Sequence, residues 1–120
     1  MRATFVGFEI HYMTLLFMKN DEIDKIISAR VNLHIEKLRA LRPDELRKLS
    51  LYTEEHFEVG GKPQVLGMYR NLIQNGEVLI VVQCKNKRYF GLGYMFAKGL
   101  VVDASGQLRE AEKELMWEYV

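Results

Sequence analysis

The 120-residue chain has one cysteine, Cys84, so no disulfide can form within it. That excludes a disulfide-stapled secreted fold and leads us to expect a reducing, cytoplasmic setting. Only 2 prolines and 9 glycines are present, which excludes collagen-like repeats and Pro/Gly-rich linkers. Charge of one sign is also missing: 17 Lys and Arg stand against 16 Asp and Glu, for a formal net charge of +1. Neither half departs far from this balance, with 9 basic against 10 acidic residues in 1–60 and 8 against 6 in 61–120. A duplex-binding surface neutralises many phosphates and shows a basic excess, so nucleic acid is not an expected partner. Long hydrophobic runs are absent as well. The longest near-apolar stretch, Tyr12 to Met18, has seven residues, whereas a helix needs about 20 to span a bilayer. Glu9 and His11 interrupt any signal-peptide core. No membrane partner is expected.

The linear motifs with a defined chemistry are missing too. The chain contains no phosphate-binding P-loop, no His-Glu-x-x-His, no Cys-x-x-Cys and no nucleophile elbow. Gly91-Leu92-Gly93 supplies two glycines of a dinucleotide fingerprint, but within a strand pattern rather than before a helix. No catalytic residue, metal site or cofactor is read from motif.

What is present is 48% apolar and 28% charged residues, the composition of one globular domain. A chain of this length buries roughly two-thirds of its unfolded surface and can fold without a metal or disulfide. Residues 3–18 are apolar, β-branched and aromatic, which predicts a strand or extended arm (residues 1–17) ahead of the main domain. Asn20 or Asp21 then offers an N-cap, and acids follow it. Ile27, Val31, His34, Leu38 and Leu41 recur every three or four residues, and Ile23, Ile26 and Ile35 widen the stripe. This predicts an amphipathic helix of about 20 residues, ended near Leu41-Arg42 by Pro43. Pro43 suits the first position of a second, short helix over 43–50.

The rest reads as strands at 51–59, 64–73, 77–84 and 88–97, with Leu100 to Val102 extending the last. Gly60-Gly61, Gln74-Asn75-Gly76, Lys85-Asn86-Lys87 and Asp103 to Gly106 read as turns. Val78 to Val82 is apolar on both faces, as in a central strand. Gly67, Gly91 and Gly93 mark bends or bulges that would curl the sheet. The tail suggests a short helix or turn around 108–115 and an extended end. Short connections without intervening helices imply an antiparallel meander. The expected fold is α+β: a long helix and a short one on a curled antiparallel sheet of four to five strands. Its architecture is analogous to a cystatin-like or nuclear-transport-factor-like cone.

The stretch Gly99-Leu100-Val101-Val102-Asp103-Ala104-Ser105-Gly106-Gln107-Leu108-Arg109, ending in Leu115-Met116-Trp117-Glu118-Tyr119, resembles the tail of small uncharacterised bacterial domains. With residues 77–97 it covers about a third of the chain. The resemblance implies no activity.

Four groups invite a chemical reading. Glu54, His56 and Glu58 share one face of a strand, a row able to bind a divalent metal or to seat a general base, or simply a solvated face. Cys84 precedes Lys85, Lys87 and Arg88, cations that could lower a thiol's pKa; the plainer reading is a small buried hydrophobe. The same cations beside Tyr89 and Phe90 could hold a phosphate, or line a solvated hairpin. His34 sits in the helix stripe and, at a cone mouth, would serve a ligand pocket together with Tyr69, Arg70 and Tyr94. The aromatics and methionines of the last third would place Tyr89, Met95, Trp117 and Tyr119 on an outer sheet face that needs a cover. A second copy of the chain is the simplest cover. The leading expectation is therefore a non-catalytic interaction or ligand-binding domain that forms a homodimer. Its rivals are a small cone-fold enzyme and a partner-specific binder, of the toxin-neutralising kind, using the acidic strand Glu54 to Glu58.

Overall fold

A computed structural model describes residues 19–87 and 93–120, without the side chain of Lys87. The strand or arm expected over residues 1–17, and the expectations for Arg88, Tyr89, Phe90, Gly91 and Leu92, lie outside the described residues. Helix α1 (Asn20–Arg39) is followed by the short α2 (Pro43–Arg47). Strands β1 (Tyr52–Val59), β2 (Lys62–Leu72), β3 (Val78–Lys87), β4 (Gly93–Val102) and β5 (Leu108–Glu110) come next. A one-turn helix α3 (Lys113–Met116) and a 3₁₀ turn (Trp117–Tyr119) close the chain. The strands form one open antiparallel sheet in the order β1-β2-β3-β4-β5. The fold is α+β, with a long helix, a short helix and a five-stranded meander.

The long helix buries Ile23, Ile27, Val31, Ile35 and Leu38. Their spacing keeps one face on the sheet for the helix's whole length. Ile26 stays 40% exposed and His34 sits at the margin of the stripe, so the buried face is turned slightly from the one expected. The helix starts one residue earlier than the acids suggested: Lys19 is the N-cap, and Asp21 and Glu22 fall in the first turn, near the positive dipole end. Pro43 opens α2 with its preset φ, and Glu45 accepts the Arg42 backbone N–H at 3.2 Å. Arg47 then fastens α2 to the sheet, donating to the carbonyls of Gly76 (3.0 Å) and Asp103 (2.5 Å).

Strand β3 is central and is paired along its whole length with β4. Val78, Ile80, Val82 and Cys84 face α1 and are buried there with Leu66, Val59, Leu100 and Val102. Leu79 and Val81 face the other way, against Val101 and Met116. The run from Val78 to Val82 is thus apolar on both faces because both faces are covered at that point.

Three local expectations are corrected. Lys85-Asn86-Lys87 is not a turn; β3 continues through it, paired with Gly93 to Met95. Asn86 is buried there, and its amide donates to Asp24 on α1 at 2.6 Å, a long-range bond that outweighs the local turn preference. Gly67 is not a bulge, since the β1–β2 register runs unbroken through the Glu54–Gly67 pair. A Cβ at Gly67 would lie 3.2–3.4 Å from the Tyr52 and Tyr69 side chains, so this glycine makes room for them. The tail is a strand over 108–110 and a helical turn beyond 112, rather than a helix around 108–115 with an extended end.

Candidate functional site

Antiparallel register sets out the sheet face away from α1 in rows. One row runs Tyr52, Tyr69, Val81, Gly99 and the next Glu54, Gly67, Gln83, Ala97; in the third, His56 pairs with Val65 and Lys85 with Met95. The first row is closed by the C-terminal segment. Tyr119 packs on Tyr69 with ring centroids 5.5 Å apart, and Asn71 donates its amide to the Tyr119 hydroxyl. Met116 covers Leu79, Val81 and Val101. This closure depends on Gly99, where a Cβ would lie 2.6 Å from Met116 Sδ and 2.9 Å from Ala111 Cβ. Arg109 braces the segment from below with a forked pair to Glu77 (2.7 and 3.3 Å) and a second to Glu112 (2.7 Å).

The second and third rows lie beyond this cap. Tyr52, Val65 and Met95 are 44%, 42% and 36% exposed, so one apolar patch spans β1, β2 and β4. Gln83 lies inside it, with its amide oxygen buried and without a hydrogen-bond partner. Tyr52 stacks on Tyr69 at 4.7 Å. Burial, the hydrogen bond to Glu54 and the neighbouring Tyr69 push the Tyr52 phenol up to about 12. The patch is bordered by Glu54, His56 and Glu58 on β1 and contains exposed Lys85 on β3. Among the described residues, no outer strand pairs with β4 from Gly93 to Lys98, because β5 reaches only Leu100 to Val102.

The four residues expected to share a pocket are placed as follows. His34, on α1, meets Glu55 across the seam with β1, Nε2 to Oε2 at 2.7 Å. Arg30, one helical turn before it, pairs with the other Glu55 oxygen and lies 4.2 Å over the Phe57 ring. Burial alone would raise the Glu55 carboxyl, but hydrogen bonds from Arg30 and His34 and their charge hold it below the ordinary carboxylate value. Arg70 is on the helix side of β2, donating to the Leu49 carbonyl at 2.5 Å. Tyr69 is on the opposite face. Tyr94 lies on β4 opposite Asn86 and is 56% exposed. His34, Arg70 and Tyr94 are thus on the helix side, while Tyr69 lies on the opposite face under the C-terminal cap. Of the expected interface residues, Met95 is in the patch, Trp117 is 74% exposed at the cap, and Tyr119 is half-buried within it.

The Glu54–His56–Glu58 row does share a strand face, and His56 pairs with Glu54 at 2.9 Å. Among the described residues, no group of three or more His, Cys, Asp or Glu is disposed to hold a metal. Cys84 is buried under α1, and burial pushes its thiol up to about 11, the opposite of activation. The Arg30–His34–Glu55 cluster was not anticipated. Its signal was available: Arg30 and His34 are four residues apart on one helix, and Glu55 alternates with Phe57 on the inward face of β1.

No helix among the described residues is long and apolar enough to cross a membrane. No family model, no curated protein and no solved structure matches this chain, so the likeness of its last third to small bacterial domains carries no family assignment.

Proposed function

We propose that the chain is an interaction module that pairs with a second copy of itself through the open end of the second sheet face. The observation that carries this reading is the patch itself. Tyr52, Val65 and Met95 expose apolar surface around one shallow depression that Gln83 and Lys85 also line. Contiguous exposed apolar surface on a small domain marks a contact site.

The charges around the patch favour a copy over a foreign partner. Acids border it on β1, at Glu54 and Glu58, and Lys85 stands two strands away on β3. A two-fold axis along β2 lays each copy's Lys85 over the other's acidic strand and Val65 over Val65. Such a patch is self-complementary, as an isologous interface must be. The test is a charge exchange followed by sedimentation velocity. Lys85→Glu should turn dimer into monomer, and Lys85→Glu with Glu54→Lys and Glu58→Lys should restore the dimer. A Lys85→Glu variant that remains fully dimeric would refute this arrangement.

A further inference from the structure

Strand β4 is paired with β5 only over Leu100 to Val102, and that pairing fixes which backbone groups face outward beyond it. Gly99 accepts the Ala111 N–H at 2.9 Å, and Val101 pairs with Arg109. The β3–β4 register runs unbroken from Val102 to Gly93. Met95 and Ala97, in step with Gly99 and Val101, therefore turn their N–H and C=O groups to the same outer edge. Among the described residues, no strand takes up those groups. Beside this stretch the C-terminal segment leaves a cavity of about 430 Å³, with an apolar lining from Ala97, Ala111, Met116, Trp117 and Val120. An open strand edge next to a pocket for one side chain is the form of site that takes an added strand. The other edge, β1, carries the charged row Glu54, His56 and Glu58, which discourages such pairing.

We propose that residues 6–12 of the same chain add to β4 as a sixth, antiparallel strand, with Phe8 seated in the cavity. Val6, Phe8, Ile10 and Tyr12 alternate with Gly7, Glu9 and His11, the pattern of a strand with one apolar face. The stretch matches in length the part of β4 beyond β5, Gly93 to Lys98. Its connection to α1 sets the direction. Helix α1 packs over β3 and β4, and Asp24 in its second turn is bonded to Asn86, opposite Tyr94 near the start of β4. The chain thus enters α1 at the Gly93 end. Residues 13–18 reach about 20 Å at most, too little to double back along β4 and also round its edge. The added strand therefore runs from Lys98 toward Gly93. Pairing Phe8 with Ala97 then sets Ile10 beside Met95, both on the face that carries the cavity, while Gly7 and Glu9 meet Lys98 and Phe96 on the helix side. Phe8 is buried against Met116 and Trp117, and the edge is closed. Val65 and Lys85 stay uncovered, so this strand does not depend on self-association at the open end.

The full-length chain with Gly7→Cys and Lys98→Cys, oxidised with diamide, should form an intramolecular disulfide seen on a non-reducing gel. Directly opposed residues that are not hydrogen-bonded to each other bring their Cα atoms to about 4.5 Å, within disulfide reach. The out-of-register pair Glu9→Cys with Lys98→Cys should form it at least about tenfold more slowly, because diagonal neighbours lie about 7–8 Å apart. Cys84 is buried and does not compete. Independently, the Met95 and Ala97 amides of the native chain should exchange with solvent at least about tenfold more slowly than in Phe8→Asp. The Ile27 and Ile80 amides, in the core, report that the variant is folded. No disulfide in the in-register pair, disulfide-linked dimers in its place, or Met95 and Ala97 exchange untouched by Phe8→Asp would each overturn the inference; linked dimers would assign the strand to a second copy.

Discussion

The two faces of the sheet are built from the same five strands, yet they are finished differently. The α1 face is closed along its length by one 20-residue helix whose buried stripe meets every strand from β1 to β4. The opposite face is closed only where the last few residues fold back over Val81 and Val101, and is open over Val65, Gln83 and Met95. One continuous element produces a closed core. A short terminal cap leaves surface and a cavity, the raw material of recognition.

Substitutions at matched positions on the two faces sharpen this contrast. Ile80→Ala, fully buried under α1, should cost about 2–5 kcal/mol in urea unfolding, the range for removing a large aliphatic side chain from a core. Gly99→Val should cost less, about 1–3 kcal/mol, because the cap can lift away from the new side chain. Its signature is local: altered Trp117 emission and faster proteolysis after residue 110. Val65→Ala at the open end should change monomer stability by no more than about 0.5 kcal/mol while weakening association. A large stability loss there would mean that this end is already packed within the monomer.

The smallest effect concerns the seam between α1 and β1. Glu55 has a folded-state pKa below its ordinary value of 4.5. Its contribution is therefore present above that value and is lost as pH falls through the lowered folded pKa. Glu55→Gln should leave a shallower fall in stability below pH 4.5 than the native protein shows. Equal slopes in the two proteins would show that Arg30 and His34 do not stabilise the ionised carboxylate.

Much of the scaffold was legible in the sequence. The three-and-four spacing from Ile23 to Leu38 located α1, Pro43 located α2, and the doubly apolar Val78 to Val82 marked the middle of the sheet. The failures share a cause. Lys85-Asn86-Lys87 has turn composition, but Asn86 is held by Asp24, 62 residues away, and no local rule contains that bond. The tail has both periods at once, and the three β5 residues are decided by pairing with Leu100 to Val102. Within the candidate site, Met95 was readable from alternation along β4. Val65 and Gln83 were not, because their exposure depends on how far the C-terminal cap reaches across the sheet. The row of Glu54, His56 and Glu58 drew notice by composition, while the carboxylate bonded by both Arg30 and His34 is Glu55 between them.

The most direct measurement of self-recognition through the open face is sedimentation velocity across a concentration series, for the native chain and Val65→Glu. Val65 lies on the proposed two-fold and is 42% exposed, so its replacement leaves the core intact. The expected result is a concentration-dependent dimer for the native chain and a folded monomer for Val65→Glu. A native chain that stays monomeric throughout, or a Val65→Glu variant that dimerises as well as the native chain, would contradict it.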